Sequence, residues 1–152
     1  MVRPIRRVIE VKQNNNTRKV NVSTSTASAK TEYMLLFRGE HWDKGLSPEE
    51  LHPLMDRVMA WFEDLQERGK VKAGQPLAEH GRIISGKRSG TVADGPFVES
   101  KEAVGGYLIV HAATLEEAVV IAKGMPTLGY GITIEVRPLL DECPIFERAK
   151  RQ

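Results

Sequence analysis

A chain of 152 residues that is 41% hydrophobic and 28% charged has the balance of one ordinary globular domain, not of a fibrous, low-complexity or membrane-spanning protein. The net charge of +2 divides unevenly. Residues 1–30 hold seven Lys/Arg against one acid, and residues 31–152 hold fifteen against nineteen. The folding part is therefore mildly acidic, the reverse of a nucleic-acid-binding domain. A single cysteine, Cys143, rules out an internal disulfide and a cysteine-based zinc cage. No apolar run approaches the roughly 20 residues of a membrane span. These features lead to the expectation of a cytoplasmic protein with neither nucleic acid nor membrane as partner.

The first 30 residues contain Asn14-Asn15-Asn16 and the run from Ser23 to Ser28, with few apolar residues to offset ordering entropy. They are expected to be a disordered or loosely attached basic tail, without the hydrophobic stretch of a secretory signal. Tyr33 to Phe37 reads as a first strand, apolar on both faces. Ser47-Pro48-Glu49-Glu50 has the pattern of a capping box with proline at the first helical position. Leu51, Leu54, Met55, Val58, Phe62 and Leu65 then recur at helical spacing up to Gly69, with a kink expected at Pro53. Gly74 onward reads as a loop, followed by a hairpin of Arg82-Ile83-Ile84 and Thr91-Val92.

Gly105-Gly106 is read as a tight turn into a strand at Tyr107–His111, again apolar on both faces. Thr114-Leu115-Glu116-Glu117 opens a second helix that stops at Gly124. Ile132, Ile134 and Val136 alternate with polar residues, as a half-wet edge strand does. Residues 140–152 form a C-terminal extension. The resulting order of strand, helix, hairpin strands, strand, helix, strand predicts an α+β, ferredoxin-like antiparallel sheet with two helices on one face. The apolar second face predicts a second copy of the chain as its cover, hence a homodimer.

The stretch Asp94-Gly95-Pro96-Phe97-x-Glu99-x-Lys101-Glu102-x-x-Gly105-Gly106 resembles the signature of the YCII-related (DGPF) family. Met34-Leu35-Leu36 and Glu135-Val136-Arg137-Pro138 sit where that family has similar segments, and the likeness runs roughly from Glu32 to Leu139. The resemblance implies the same ferredoxin-like fold, of the dimeric α/β barrel type, in a domain of residues 31–139. In that family the Asp of this motif is a frequent choice for the active centre, and relatives occur beside extracytoplasmic-function sigma factors.

Asp94 carries two readings. It is a corner carboxylate that binds backbone N–H groups, or a rigid general base at the rim of a cleft. Glu99, Lys101 and Glu102 are a solvated run, or a group in which Lys101 orients a substrate anion and Glu102 joins the chemistry. His41-Trp42 falls on the loop after the first strand, a frequent place for pocket residues. His41 is taken with Asp94 and Glu102 as catalytic candidates, and Trp42, Lys101, Phe97 and Tyr33 as substrate-binding ones. His52 and Asp56 share a helix flank, more consistent with a surface pair, and His111 ends a central strand. No helical metal spacing or phosphate-cradling motif is present, so no metal or cofactor is expected. Cys143 stands among acids, an unfavourable setting for a thiolate. Two functions are expected to compete. One is a cofactor-free protein that binds or transforms a small polar or aromatic molecule beside Asp94. The other is a non-enzymatic accessory module for a protein partner.

Overall fold

The structure is a computed structural model that describes residues 31–39, 41–86, 90–95 and 102–151. Its elements are β1 (Thr31–Arg38), α1 (Pro48–Glu67), β2 (Val71–Pro76), β3 (Gly81–Ser85), β4 (Thr91–Gly95), β5 (Val104–Ala112), α2 (Leu115–Lys123), a 3-10 turn (Pro126–Tyr130), β6 (Thr133–Pro138) and α3 (Pro144–Lys150). Four strands form one sheet in the order β2-β5-β1-β6, every neighbouring pair antiparallel. With β3 and β4 set aside, this is the strand–helix–strand–strand–helix–strand order of the ferredoxin-like fold, as expected from the sequence. The basic tail of residues 1–30 lies outside the described residues.

One assignment is corrected. The second strand of the sheet is Val71–Pro76, a segment whose reading from Gly74 on was loop, and the β3–β4 hairpin forms a two-stranded sheet of its own. Gly74, Gln75 and Pro76 give this strand poor local strand chemistry, but it is an edge strand, where glycine and proline are tolerated. Pairing with β5 organises it, at Val71 opposite Val110 and Pro76 opposite Gly106. The hairpin pairs mainly with itself and leaves Ile84 and Val92 exposed. A second correction concerns Gly105-Gly106, which lie inside β5 and make no turn. Phe37 pairs with Gly106 and Arg38 with Val104, so Gly105 is the extra residue of a β-bulge.

Alternation decides what the sheet buries. Tyr33 and Leu35 of β1 stand beside Leu108, Val110 and Ala112 of β5, and all five are buried. Over them lie Leu65 from α1 and Ala118, Ile121 and Ala122 from α2. Leu35 and Leu54 are fully buried, so truncating either to alanine is expected to cost about 2–5 kcal/mol. On the opposite face Met34, Leu36, Tyr107 and Ile109 are only half-buried. The helices thus lie on one face, and the other carries an apolar strip bordered by the Arg38–Glu135 and Lys72–Glu32 ion pairs.

Both helices begin as their sequences require. The Ser47 hydroxyl accepts from the Glu50 amide at 3.3 Å, and the Glu50 carboxylate accepts from the Ser47 amide at 2.8 Å, which completes the capping box. α1 runs without interruption through Pro53. At its end Gly69 takes φ +65°, and the amides of Gly69 and Lys70 donate to the carbonyls of Gln66 and Leu65, a Schellman ending.

At the start of α2 the Thr114 hydroxyl accepts from the Glu117 amide at 3.1 Å. The Glu117 carboxylate accepts from Lys70 Nζ and from the Ala113 amide, and so ties the helix to the start of β2. Those two bonds, the lysine first, hold the Glu117 carboxyl below the usual carboxylate range. A depressed folded-state value means that the stabilisation is present above the unfolded value and disappears as pH falls through the folded one. Glu117→Gln should therefore melt below wild type at pH 7. The gap in Tm, followed by circular dichroism, should close as pH falls from about 5 to below 4.

Candidate functional site

The spacing between α1 and the sheet is set by the large core side chains, and at one end of the sheet those side chains are missing. Gly106, paired with Phe37, and Gly74, paired with Leu108, line the space under α1 there. A Cβ on Gly106 would stand 3.1 Å from the Gln75 carbonyl oxygen, and one on Gly74 would stand 2.7 Å from Leu108 Cδ1. The result is an apolar cleft of about 490 Å³, within the range of small-molecule sites. Its walls carry Phe37, Trp42, Trp61 and Phe62, with Met55 and Met59 of α1 at its edge. No Asp, Glu, Lys, Arg or His stands among the described residues that line it. Thr127, from the 3-10 turn, lies there with 1% exposure, and its hydroxyl is buried without a hydrogen-bond partner among the described residues.

A second, polar hollow of about 550 Å³ adjoins the cleft and shares Gly39, Trp42 and Gly105 with it. It carries His41, Asp43, Lys44 and Glu79. Trp42 therefore stands between an uncharged chamber and a charged one. The loop that places it is folded by the Lys44 amide donating to the His41 carbonyl at 3.1 Å and the Leu46 amide to that of Asp43 at 2.9 Å. His41 takes φ +58°, a left-handed backbone that costs a non-glycine residue about 1–2 kcal/mol. Such strain concentrates at functional loops.

The other sequence candidates are dispersed. Asp94 is in β4, opposite Arg82 of β3, with its carboxylate 3.2 Å from the Arg82 guanidinium and 74% exposed. It lines neither hollow. The hairpin register gives it a cross-strand partner in solvent, not a place in the cleft. Tyr33 is 6% exposed in the core cluster. Glu102 is exposed before β5; its carbonyl accepts from Arg38 at 3.1 Å and its carboxylate lies 3.7 Å from the same guanidinium. Phe97, Glu99 and Lys101 lie outside the described residues, as does the Pro96 corner. His52 and Asp56 form an exposed pair at 4.0 Å. His111, with Arg68, Lys70 and Glu117, lines a smaller hollow of about 250 Å³ at the far end of β5. Among the described residues no group of three or more His, Cys, Asp or Glu could hold a metal ion, and no helix is long and apolar enough to cross a membrane.

Met55, Met59, Trp61, Met125, Thr127 and Ile132 were not sequence candidates for the site. One signal was available: α1 carries Met55, Met59 and Phe62 at four- and three-residue steps beside its Leu54–Leu65 stripe. That apolar face is wider than the core needs.

Family comparison agrees with the topology. Residues 31–141 match the model of the YCII-related domain, and the chain belongs to that family. No curated protein matches it. Among solved structures, it is similar to 5-chloro-2-hydroxyhydroquinone dehydrochlorinase from Burkholderia phenoliruptrix AC1100, in complex with 2,5-dihydroxybenzoquinone. That likeness stands at 16% identity and a TM-score of 0.39, over 73% of this chain and 95% of that one.

The exposure of Asp94 has a measurable consequence. Asp94→Asn should change unfolding free energy by no more than about 0.5 kcal/mol in a urea melt, as expected of an exposed ion pair. A larger loss would mean that its carboxylate is bound by residues beyond Arg82.

Proposed function

We propose that this protein binds a small, uncharged aromatic molecule in the cleft under α1, with the polar end of the ligand directed past Trp42 into the hollow that holds His41. The observation that carries this reading is the junction at Trp42 between an aromatic chamber, whose lining among the described residues holds no charged side chain, and a charged hollow. Removing an ionic group from water into such a chamber is costly, whereas a flat uncharged ring gains from burial and from the aromatic walls. His41, which lines that hollow with Asp43, Lys44 and Glu79, is the candidate for proton transfer there. Asp94 and Glu102 have no part in this arrangement of one chain.

1-Naphthol is a suitable probe, followed by quenching of tryptophan fluorescence. It should bind the wild-type protein. Trp42→Ala should weaken it about tenfold, the worth of one aromatic contact. Asp94→Asn should leave it unchanged. Absence of binding to the wild type would overturn the proposal.

The same reading includes a homodimer formed through the open sheet face. Met34, Leu36, Tyr107 and Ile109 form an apolar centre with the ion pairs Arg38–Glu135 and Lys72–Glu32 at its border, the arrangement of an interface core and rim. Ile109 is on this face, opposite Met34, whereas Leu108 is 3% exposed in the core. Ile109→Asp should thus yield a folded monomer by light scattering, and Leu108→Asp should unfold the chain. A wild-type monomer at tens of micromolar, a rough guide to a weak complex, would instead assign the face to a different protein partner.

A further inference from the structure

We infer that Gly124, at the C-terminal end of α2, sets the width of the aromatic cleft by letting the Trp61 indole lie back against the helix end. This inference rests on the proposed ligand site and adds the determinant of ligand size.

Gly124 is not required by its backbone. Its φ of −73° and ψ of −10° are ordinary right-handed values open to any residue. Glycine is commonly found just past a helix end because it accepts a left-handed conformation, as Gly69 does at the end of α1 with φ +65°. Gly124 has no such role, so the reason for a missing side chain lies in what surrounds it. A Cβ there would be 2.8 Å from Trp61 Nε1 and 3.1 Å from Trp61 Cδ1, closer than side-chain carbons approach. The Ile121 carbonyl oxygen, at 3.3 Å, closes the space on the α2 side.

The open side of the indole is the cleft that it lines. Trp61 is half-buried, packs against the cluster that holds Leu65, Ile121 and Ala122, and lines the cleft. Close-packed interiors do not absorb a displaced ring. A methyl group on residue 124 would therefore tilt the indole away from α2 and into the cleft. The cost falls on ligands wide enough to need that space. Shortening Trp61 to phenylalanine removes the pyrrole edge that meets residue 124, and should reverse the effect.

The experiment compares 1-naphthol with phenol on the wild type, Gly124→Ala, Trp61→Phe and the double variant, by calorimetric titration. Gly124→Ala should lose at least about tenfold in affinity for 1-naphthol, the scale of a methylene-sized misfit in an apolar pocket. Its affinity for phenol should stay within about twofold. The double variant should regain 1-naphthol. Without ligand, the tryptophan bands of the near-ultraviolet circular dichroism should change in Gly124→Ala. Equal losses for both probes, or no recovery in the double variant, would overturn the inference while leaving the ligand site standing. Failure of the wild type to bind either probe would remove the ligand site and this inference together. If Gly124→Ala does not melt cooperatively, Trp61→Phe alone decides. It should favour 1-naphthol over phenol relative to wild type, and an unchanged ratio would overturn the inference.

Discussion

The distance between α1 and the sheet is the constraint on which the rest of this structure depends. Leu35, Leu108 and Val110 on the sheet and Leu65 on the helix are buried in one cluster, and they hold the two layers apart by a full side chain. Where the sheet carries such residues, the layers make a close-packed core. Where it carries Gly74 and Gly106, the same spacing leaves a void that opens to the surface. The cleft is therefore a continuation of the core with the sheet's side chains left out. Its walls are apolar because they belong to that interior layer.

Cores tolerate few voids, and an unfilled one forfeits the contacts its lining would otherwise make. Here the lining is rich in Trp, Phe and Met, residues that gain from flat apolar partners and adapt to them. Next to it the β1–α1 loop holds His41 in a left-handed backbone and presents charged groups to the same opening. Strain, a void and a buried Thr127 hydroxyl without a partner among the described residues all occur at one end of the sheet. The opposite end of α2 is fastened more conventionally, through Glu117, Lys70 and the Ala113 amide.

The two sheet faces divide the chain's tasks. One face, with the helices, makes the core and the cleft. The other carries Met34, Leu36, Tyr107 and Ile109 with ion pairs at its border. The β3–β4 hairpin stands apart from both, with Ile84 and Val92 in solvent, and a two-stranded ribbon gains little stability by itself.

The sequence by itself determined what is local. Ser47 with Glu50 and Thr114 with Glu117 start the helices, Gly69 ends the first, and the two-sided apolar runs of β1 and β5 and the alternation in β6 place the central and edge strands. These follow from hydrogen-bonding groups and apolar periods within a few residues of each other. The motif from Asp94 to Gly106 pointed to the family for the same reason. Tertiary structure alone decided the rest. Val71–Pro76 is a strand because β5 offers it a free edge, and no property of its own residues says so. Gly105 is a bulge because β1 is one residue short opposite it. Trp42, Trp61, Phe37, Met55 and Thr127 come from separate parts of the chain, and each reads locally as core, loop or turn. They become one site only when helix and sheet are held a side chain apart over a pair of glycines. Asp94, prominent in the sequence, instead received a neighbouring arginine and solvent, because hairpin register and not motif prominence fixes where a side chain points.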